Sequence, residues 1–382
     1  MRMFDRIYAI LELNELSVVG GISMSLQFIL GRSGSGKTSL ILDRVTSKLR
    51  EQPMGPPLII LTPEQGTFQI EQRIATAPGL HGTVRTQVLG FRRLALRVMQ
   101  ETGGAALVPI DDEGKKMLLY KLMRRRKDEL KLFGHGGDQL GLIDRIAGLY
   151  TEMKKYNVDF STLQEHYHLL EQIEGESPLL KDKMHDLSLL FAEYDEELSR
   201  LYIDNEDHVV KLAQGASESA YLRGAEIWID GFHTFTPQEY TAILALLKTA
   251  ASVTVSLTLD RVYNDGNQPH ELNLFYTPAS AFVKLSRLAA EEGIEVLPPE
   301  LLEARPFPRF RESETLSYLE SAYERRSPWP MSEPPKDLEK ALSLHRAASR
   351  RAEVEGAARE MVRLAREEGV RWRDMALLVR NL

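Results

Sequence analysis

Short apolar runs alternate with amphipathic helical patterns along the first hundred residues of the chain. The runs have the length and the branched side chains of buried strands: Gln27–Leu30, Leu58–Leu61 and Val84–Val88. A helical pattern follows each run, starting at Lys37, Thr62 and Phe91. Strands that alternate with helices in this way predict a β-α-β-α-β-α unit built on a parallel sheet.

Hydroxyl-proline pairs predict where several helices begin, because the hydroxyl can cap a helix and proline suits its first position. The pairs are Thr62-Pro63, Ser177-Pro178, Thr236-Pro237 and Thr277-Pro278. Gln65 and Glu239 would complete capping boxes for the first and third pairs.

The pattern changes after about Asp111, and as far as Leu222 it is that of long amphipathic helices with almost no strand signal. Strand patterns return at Glu226–Phe232 and at Val253–Asp260. Prolines among charged residues then predict a linker over residues 303–338.

After this linker a second strand-helix-strand pattern begins. We predict strands over Leu342–Leu344 and Met375–Arg380, with a helix over Glu353–Glu367 between them.

Composition indicates a globular protein and removes several chemistries. The 382 residues are 43% hydrophobic, enough for two or three domains with cores of their own. The formal net charge of −7 provides no global basic field, so contacts with nucleic acid must come from local clusters. Without cysteine the sequence has no disulfide, cysteine-ligated zinc or iron–sulfur site.

No run of the sequence has the apolar length of a membrane span, and the charged start argues against a signal peptide. We therefore predict a cytoplasmic protein with no membrane partner. Residues 1–23 are interpreted either as an over-extended start before Met24 or as a short amphipathic extension.

The most specific motif is Gly31-Arg32-Ser33-Gly34-Ser35-Gly36-Lys37-Thr38, in the G-x-x-x-x-G-K-[ST] order of a P-loop between strand and helix. Glycines let backbone N–H groups turn towards a phosphate, and the helix N-terminus adds partial positive charge. We predict that this segment binds ATP, with Lys37 on the β- and γ-phosphates and Thr38 as a Mg²⁺ ligand. A glycine-rich turn with an accidental lysine is the alternative.

The apolar strand Ile227–Ile229 ends in Asp230, where P-loop proteins hold Mg²⁺ through a bridging water. We predict that Asp230 shares the metal with Thr38 and that Lys37 and Asp230 are the catalytic pair. An aspartate that serves only as a loop or cap residue is the alternative.

The basic run Arg124-Arg125-Arg126-Lys127 lies in the helical region and has two interpretations. It could bind phosphates, or it could be a solvated helix face, and the second is favoured.

The order of these motifs resembles superfamily 1 helicases of the UvrD/PcrA kind and, more closely, the AddB (RexB-like) subunits of AddAB helicase–nucleases. Segments similar to motifs I, Ia, Ib, II, III and IV are, in that order, Gly31–Thr38, Leu58–Ile74, Thr86–Leu94, Ile227–Glu239, Thr258–Tyr263 and Ala376–Arg380. The details most similar to AddB are at Glu64–Phe68 and Asp230–Pro237.

The resemblance implies an α/β fold: a RecA-like P-loop NTPase parallel sheet (domain 1A), an all-helical insertion (domain 1B) and the start of a second RecA-like domain. Domain 1A would comprise residues 24–105 and 223–302, and domain 1B residues 106–222. The linker 303–338 would lead into a truncated domain 2A at 339–382. The family's nuclease domain, with its iron–sulfur cluster, would lie in a C-terminal region absent from this sequence.

Departures from the helicase pattern predict weak ATP hydrolysis. Gly231 replaces the motif II glutamate that polarises the attacking water, and loss of a general base costs about 10²–10⁴ in rate. Motif III, at Asp260–Tyr263, lacks its coupling glutamine. At motif IV, Val379 replaces the aromatic that stacks on adenine, while Arg380 retains the phosphate-sensing arginine.

The resemblance also implies partners and a DNA path. Single-stranded DNA would cross the upper edge of the sheet at Thr62, Phe68, Thr86 and Phe91, although Thr62 could equally be a helix cap and Phe91 a core residue. The implied complex is an ATP-dependent helicase/5′-3′ exodeoxyribonuclease that contains an AddA-type subunit. It would act on single-stranded and duplex-end DNA in recombinational repair, with ATP and Mg²⁺ as cofactors.

Two functions of other classes stay open from the residues alone. A free-standing P-loop phosphotransferase, such as a small-molecule kinase, explains the P-loop but leaves the length beyond residue 300 unexplained. A non-hydrolysing scaffold that threads DNA is compatible with Gly231.

Overall fold

A computed structural model describes most of the chain between Met24 and Val379. The described residues are 24–80, 82, 84–103, 107–134, 140–156, 158, 163, 165, 167–169, 177–324 and 334–379. The predictions for residues 1–23 and for Arg380 lie outside them. The chain divides into two compact units, Met1–Arg309 and Phe310–Leu382.

The first unit contains the predicted parallel sheet. The strands of the described residues are β1 Ser25–Gly31, β2 Leu58–Leu61, β3 Thr86–Leu89, β4 Val108–Pro109, β5 Tyr202–Ile203, β6 Glu226–Ile229, β7 Ser252–Thr258, β8 Glu295–Val296 and β9 Glu300–Leu301. Seven of them form one sheet in the order β3-β2-β6-β7-β1-β8, with β9 also paired to β1, while β4 and β5 pair with each other. All pairings are parallel, so the α/β class is confirmed.

Helices cover both faces of this sheet. Those described in the first unit are α1 Lys37–Glu51, α2 Thr67–Ala75, α3 Phe91–Thr102, α4 Asp112–Arg125, α5 Leu140–Lys155, α6 Pro178–Leu201, α7 Asn205–Gly215, α8 Pro237–Leu247 and α9 Tyr276–Glu291. Short 3₁₀ turns occur at Glu64–Gly66 and Ala216–Glu218, and a third, Pro308–Phe310, begins at the end of this unit. In the described residues no helix is long and apolar enough to cross a membrane.

Three apolar cores hold the first unit together. One lies between the sheet and α3, α7, α8 and α9, and a second lies on the opposite face against α1 and α2. The third is formed by α4, α5 and α6 without the main sheet, around Tyr150, Phe191 and Tyr194. The helical region therefore has a core of its own, as its amphipathic pattern requires.

The order of strands places the ends of β1 and β6 on either side of β7. In β7, Ser256 is paired with Ile29 of β1, and its neighbour Val255 is paired with Ile229 of β6. Because parallel strands end at the same edge of a sheet, the segments that follow β1 and β6 lie close together there.

The predicted helix starts have different outcomes. Thr236 forms the predicted capping box with Glu239, and Pro237 begins α8. The capping box at Thr62 is wrong, because a 3₁₀ turn over Glu64–Gly66 intervenes and α2 begins only at Thr67. Pro178 begins α6 as predicted, although Ser177 makes no side-chain capping bond.

The remaining pair, Thr277-Pro278, lies inside the first turn of α9, which begins at Tyr276 after Phe275. The prediction that this pair caps the helix is therefore wrong.

The second unit contains α10 Glu314–Ala322, α11 Leu338–Ala341, α12 Arg350–Glu367 and a 3₁₀ turn at Trp372–Asp374. The strands predicted at Leu342–Leu344 and Met375–Arg380 are wrong for the described residues 342–344 and 375–379, which are irregular. A strand needs a neighbour to satisfy its backbone hydrogen bonds, and no strand is described in this unit. Leu344 and Leu378 are accordingly 99% and 93% exposed.

Candidate nucleotide-binding site

The P-loop closes tightly over the end of β1. A Cβ at Gly31 would clash with Ser35 Oγ, so only glycine lets the loop close there. Gly36 follows with a φ of 99°, and α1 begins at the next residue, Lys37. The orphan N–H groups of the α1 N-terminus therefore face the mouth of the loop, as the motif predicts.

Lys37 points towards the backbone of its own loop. Its ammonium donates hydrogen bonds to the carbonyl oxygens of Gly31 at 2.7 Å and Arg32 at 3.1 Å. Burial lowers the pKa of Lys37 from 10.5 to about 8, a shift that the Asp230 carboxylate opposes and the Arg309 guanidinium increases. A partly buried cation whose acceptors in the described residues are neutral carbonyls would gain strongly from an arriving phosphate.

Motifs I and II meet through Thr38 and Asp230. Thr38 Oγ1 donates a 2.7 Å hydrogen bond to Asp230 Oδ2, and the Ser256 hydroxyl donates to Asp230 Oδ1. The Asp230 backbone N–H donates to Leu61 O at 2.8 Å, which fixes the start of the loop after β6. Asp230 is only 4% exposed, so the structure brings together the two residues that sequence predicted as metal ligands.

The donors of this pair suit Mg²⁺, which prefers oxygen ligands and is commonly held by one or two carboxylates together with substrate phosphates. Thr38 and Asp230 would be the residues that hold it. In the described residues no group of three or more His, Cys, Asp or Glu side chains could hold a metal without such help.

A cavity of about 540 Å³ opens above the P-loop. Its walls come from the P-loop, α1, α2, the ends of β6 and β7 and the turn at Pro308: Ser33, Gly34, Gly36, Lys37, Thr38, Ser39, Gly66, Gln69, Ile70, Arg73, Asp230, Gly231, Phe232, His233, Ser256, Thr258, Pro308 and Arg309. Of the predicted nucleotide-binding residues, Gly31, Arg32 and Ser35 lie in the loop but not in these walls. Arg32 instead stacks on Phe275, 5.0 Å from the ring centroid.

Two arginines of the cavity were not predicted from sequence. The Arg309 backbone N–H donates to Gly34 O at 3.4 Å, although the residue lies in the segment predicted as a linker. Arg73 Nη2 donates to Ser39 Oγ at 3.2 Å. Neither guanidinium has a carboxylate partner in the described residues. Within that part of the chain, the cavity therefore presents Lys37, Arg73 and Arg309 as cations without an ion-paired carboxylate, an arrangement that suits a polyphosphate.

The departures from the helicase motifs have a structural form. Gly231 has a φ of 85°, and a Cβ there would lie 3.3 Å from Pro63 Cδ. The backbone at this position therefore disfavours the motif II glutamate that the sequence lacks. At the motif III position, the Tyr263 hydroxyl donates to Asp260 Oδ1 at 2.6 Å, and Tyr263 is buried. These residues satisfy each other instead of lining the cavity.

The four predicted DNA-binding residues are in very different places. Thr62 is 3% exposed, and Phe91 is 6% exposed with its ring packed edge-on against Phe232. Thr86 is buried and begins β3, so its predicted place at the upper edge of the sheet is wrong: it lies at the opposite edge from the P-loop. Phe68, in the first turn of α2, is 70% exposed, which makes it the member of this set best placed to meet a base.

Comparison with known proteins gives a consistent result. The family model described as "ADDB, N-terminal" matches residues 28–320. The B-type subunit of the ATP-dependent helicase/deoxyribonuclease of Desulforudis audaxviator is 46% identical over 359 residues, which cover 94% of this chain and 30% of that protein. The proteins of the same name from Heliobacterium modesticaldum and Geobacillus kaustophilus are 44% and 43% identical, again over 94% of the chain and over 29% and 30% of their own lengths. The chain thus spans about three tenths of the length of these relatives.

Proposed function

Because the chain belongs to the AddB N-terminal family, we propose that it is the nucleotide- and DNA-binding part of the AddB subunit of an ATP-dependent helicase/deoxyribonuclease. In this proposal the parallel sheet is a RecA-like domain 1A, the α4–α6 core belongs to the helical insertion 1B, and residues 339–382 begin domain 2A. The observation that carries the proposal is the 2.7 Å hydrogen bond between Thr38 and Asp230, which joins motifs I and II beside Lys37.

The residues of the cavity would divide the work of binding ATP. Lys37 would leave the carbonyls of Gly31 and Arg32 for the β- and γ-phosphates, with Arg309 as a further charge nearby. Mg²⁺, when bound by Thr38 and Asp230, would neutralise charge between those phosphates. Arg380 stays a predicted phosphate contact.

Hydrolysis would be weak in this arrangement. Gly231 has no side chain that could accept a proton from water. Its left-handed backbone also disfavours the substitution of a residue that could. The chain would therefore respond to ATP more than consume it. An AddA-type partner would provide the competent motor, and the complex would process duplex ends and single strands of DNA during repair. The nuclease domain and its iron–sulfur cluster would lie in the part of the relatives that this chain does not span.

A titration with a fluorescent ATP analogue, with and without Mg²⁺, tests the proposal. The matched variants are Lys37→Ala and Lys48→Ala, which lie on the same helix, because Lys48 is already paired with Glu226 at 2.6 Å. Removing one partner of a desolvated charged contact typically costs about 2–5 kcal/mol, so we expect Lys37→Ala to weaken binding by roughly 100-fold. Lys48→Ala should bind as the unmodified chain does.

Turnover measured in the same samples completes the test. We expect the rate of ATP hydrolysis to stay roughly 10²–10⁴-fold below that of a site with a general base, even when single-stranded DNA is present. Equal affinities for the Lys37→Ala and unmodified chains would contradict the proposed site. Transfer of phosphate to a small hydroxyl compound would instead support the phosphotransferase alternative.

A further inference from the structure

The wall of the cavity above the P-loop carries an amide that no contact of the fold uses. Gln69 of α2 lines this cavity and is exposed. Within the described part of the chain, no hydrogen bond engages its side chain. Ile70, the next residue, is 7% exposed and belongs to the core between α2 and the sheet. The fold therefore fixes the helix at this point and leaves the Gln69 amide available to a ligand in the cavity.

The end of the cavity that would receive the γ-phosphate is marked by Asp230. In the proposed arrangement Lys37 contacts the β- and γ-phosphates, and Asp230 is bonded to the predicted Mg²⁺ ligand Thr38. Gly231, which follows Asp230, lines the same cavity. The γ-phosphate and the water that attacks it would therefore lie near the walls that these two residues form.

The segment that leads into α2 packs directly against Gly231. A Cβ at Gly231 would lie 3.3 Å from Pro63 Cδ and 3.5 Å from Thr62 Oγ1. A Cβ at Gly66, another residue of the cavity wall, would lie 3.1 Å from the same Thr62 hydroxyl. Gln69 follows Gly66 by three residues, in the first turn of α2. The start of α2 thus brings a polar side chain to the region where the motif II glutamate is missing.

His233 is a competing candidate, because it also lines the cavity and is exposed. It lies in the irregular segment after β6, whereas Gln69 lies on a helix that is packed on the sheet. Orienting a reacting water requires precise placement, since a displacement of about 1 Å can cost roughly 100-fold in rate. Side chains on helices are placed more precisely than side chains on loops, which favours Gln69.

We propose that Gln69 is the catalytic residue that orients the attacking water in the weak hydrolysis of ATP at this site. Several P-loop NTPases use a glutamine in this way, because phosphoryl transfer depends mainly on positioning and on electrostatic stabilisation. The inference rests on the proposed function, since it requires ATP in the cavity.

The Gln69 amide oxygen accepts a hydrogen bond from the water and holds the water oxygen in line with the γ-phosphorus. That oxygen forms a bond to the phosphorus as the bond from the phosphorus to the β–γ bridging oxygen breaks, and ADP leaves with the electron pair. The proton of the water passes to an oxygen of the released phosphate, because a neutral amide is too weak a base to take it. An amide therefore orients the water without replacing the missing general base.

The test compares single-turnover hydrolysis of radiolabelled ATP, at saturating nucleotide, with affinity for the fluorescent ATP analogue. The full chain is used unmodified and as Gln69→Ala, Gln69→Glu and His233→Ala. Gln72→Ala is the matched control, because Gln72 is an exposed glutamine of the same helix that lies outside the walls of the cavity. The rate of the Lys37→Ala chain is the background to be subtracted.

We expect Gln69→Ala to lower the rate at least about tenfold and to change affinity for the analogue by less than about twofold, since the contact is made with the reacting water. Gln69→Glu keeps an oxygen that accepts a hydrogen bond and adds a group that can take the proton. Its rate should therefore equal or exceed that of the unmodified chain. Gln72→Ala should keep both the rate and the affinity of the unmodified chain.

The outcomes separate this inference from the function on which it rests. A Gln69→Ala chain that binds the analogue and keeps the unmodified rate overturns the inference alone, and a loss confined to His233→Ala would assign the water to His233 instead. A Gln69→Glu chain as slow as Gln69→Ala also overturns it, as does an unmodified chain that binds ATP but hydrolyses it no faster than Lys37→Ala. An unmodified chain that does not bind the analogue overturns the proposed function together with the inference.

Discussion

Two partly buried lysines of this chain have different acceptors and opposite pKa shifts. Lys37, at the carboxyl edge of the sheet, has backbone carbonyls as its acceptors, and burial lowers its pKa to about 8. Lys154, near the end of α5, contacts Asp204 at 3.2 Å and Asp207 at 2.5 Å. Burial opposes the charge of Lys154 too, but these two carboxylates prevail and raise its pKa.

The two lysines differ in whether their charge is used within the fold. Asp204 and Asp207 also form the capping box of α7, and the Lys154 carbonyl accepts a 2.6 Å hydrogen bond from Gln238 of α8. Lys154 thus ties three helices together. Lys37 bonds to its own loop, and its desolvation is not offset by an ion pair in the described residues. A partly buried cation without an ion pair of this kind is typical of a binding site.

The largest expected effect is on stability and concerns the paired lysine. Lys154→Met leaves Asp204, which is 2% exposed, without its cation. Breaking a buried pair from one side typically costs about 3–5 kcal/mol, so we expect a loss of this size in denaturant-induced unfolding. An exposed lysine of α4 provides the control, since Lys121→Met should change stability by no more than about 0.5 kcal/mol. Equal effects of the two changes on stability would show that the ion pairs of Lys154 do not stabilise the fold, and the contrast with Lys37 would be lost.

A smaller effect should appear in the pH dependence of nucleotide binding. Because the pKa of Lys37 is about 8 in the nucleotide-free chain, most of these side chains lose their proton between pH 7 and 9. We expect affinity for the ATP analogue to be roughly tenfold weaker at pH 9 than at pH 7, with no such step in Lys37→Ala.

Stability should change in the opposite direction over a neighbouring range of pH. The pKa of Lys37 is lower in the folded chain than in the unfolded one, so the unfolded chain binds more protons between about pH 8 and 10.5. The contribution of Lys37 to stability therefore increases as pH rises through this window.

A nucleotide affinity that stays flat from pH 7 to 9 in the unmodified chain would show that Lys37 does not hold the phosphates.

Local sequence was sufficient for the part of the site that is contiguous. The P-loop could be predicted because its chemistry lies in one segment between a strand and a helix. Asp230 could be predicted because it directly follows an apolar strand, and the strand order then places it beside Thr38.

Features that depend on tertiary packing could not be predicted. Arg73 and Arg309 reach the cavity from segments distant in sequence, and nothing in their own neighbourhoods distinguishes them from other surface arginines. The left-handed backbone of Gly231 and its approach to Pro63 of a distant segment are visible only in the folded chain. Thr86 was misplaced because it lies within the predicted strand Val84–Val88 and begins β3, whereas a residue at the carboxyl edge of the sheet must follow its strand.

The basic run at the end of α4 extends the comparison to exposed charges, where we expect the smallest effect. Arg125 contacts Glu193 and Glu197, and Arg126 Nε lies 2.8 Å from Glu193 Oε2, so α6 already occupies both guanidinium groups. This contact pattern favours the solvated helix face over phosphate binding. On single-stranded DNA each phosphate contact adds about 0.7 to the slope of DNA affinity against salt concentration on logarithmic axes.

The double variant Arg125→Gln/Arg126→Gln should therefore leave the salt dependence of single-stranded DNA binding unchanged. A slope reduced by about 1.4 units would mean that both arginines leave Glu193 to bind phosphates. An ion pair within the protein would then keep Lys154 from binding a ligand but would not keep the exposed Arg125 and Arg126 from binding DNA. An unchanged slope would show that ion pairs with carboxylates on a neighbouring helix are enough to prevent these arginines from binding DNA.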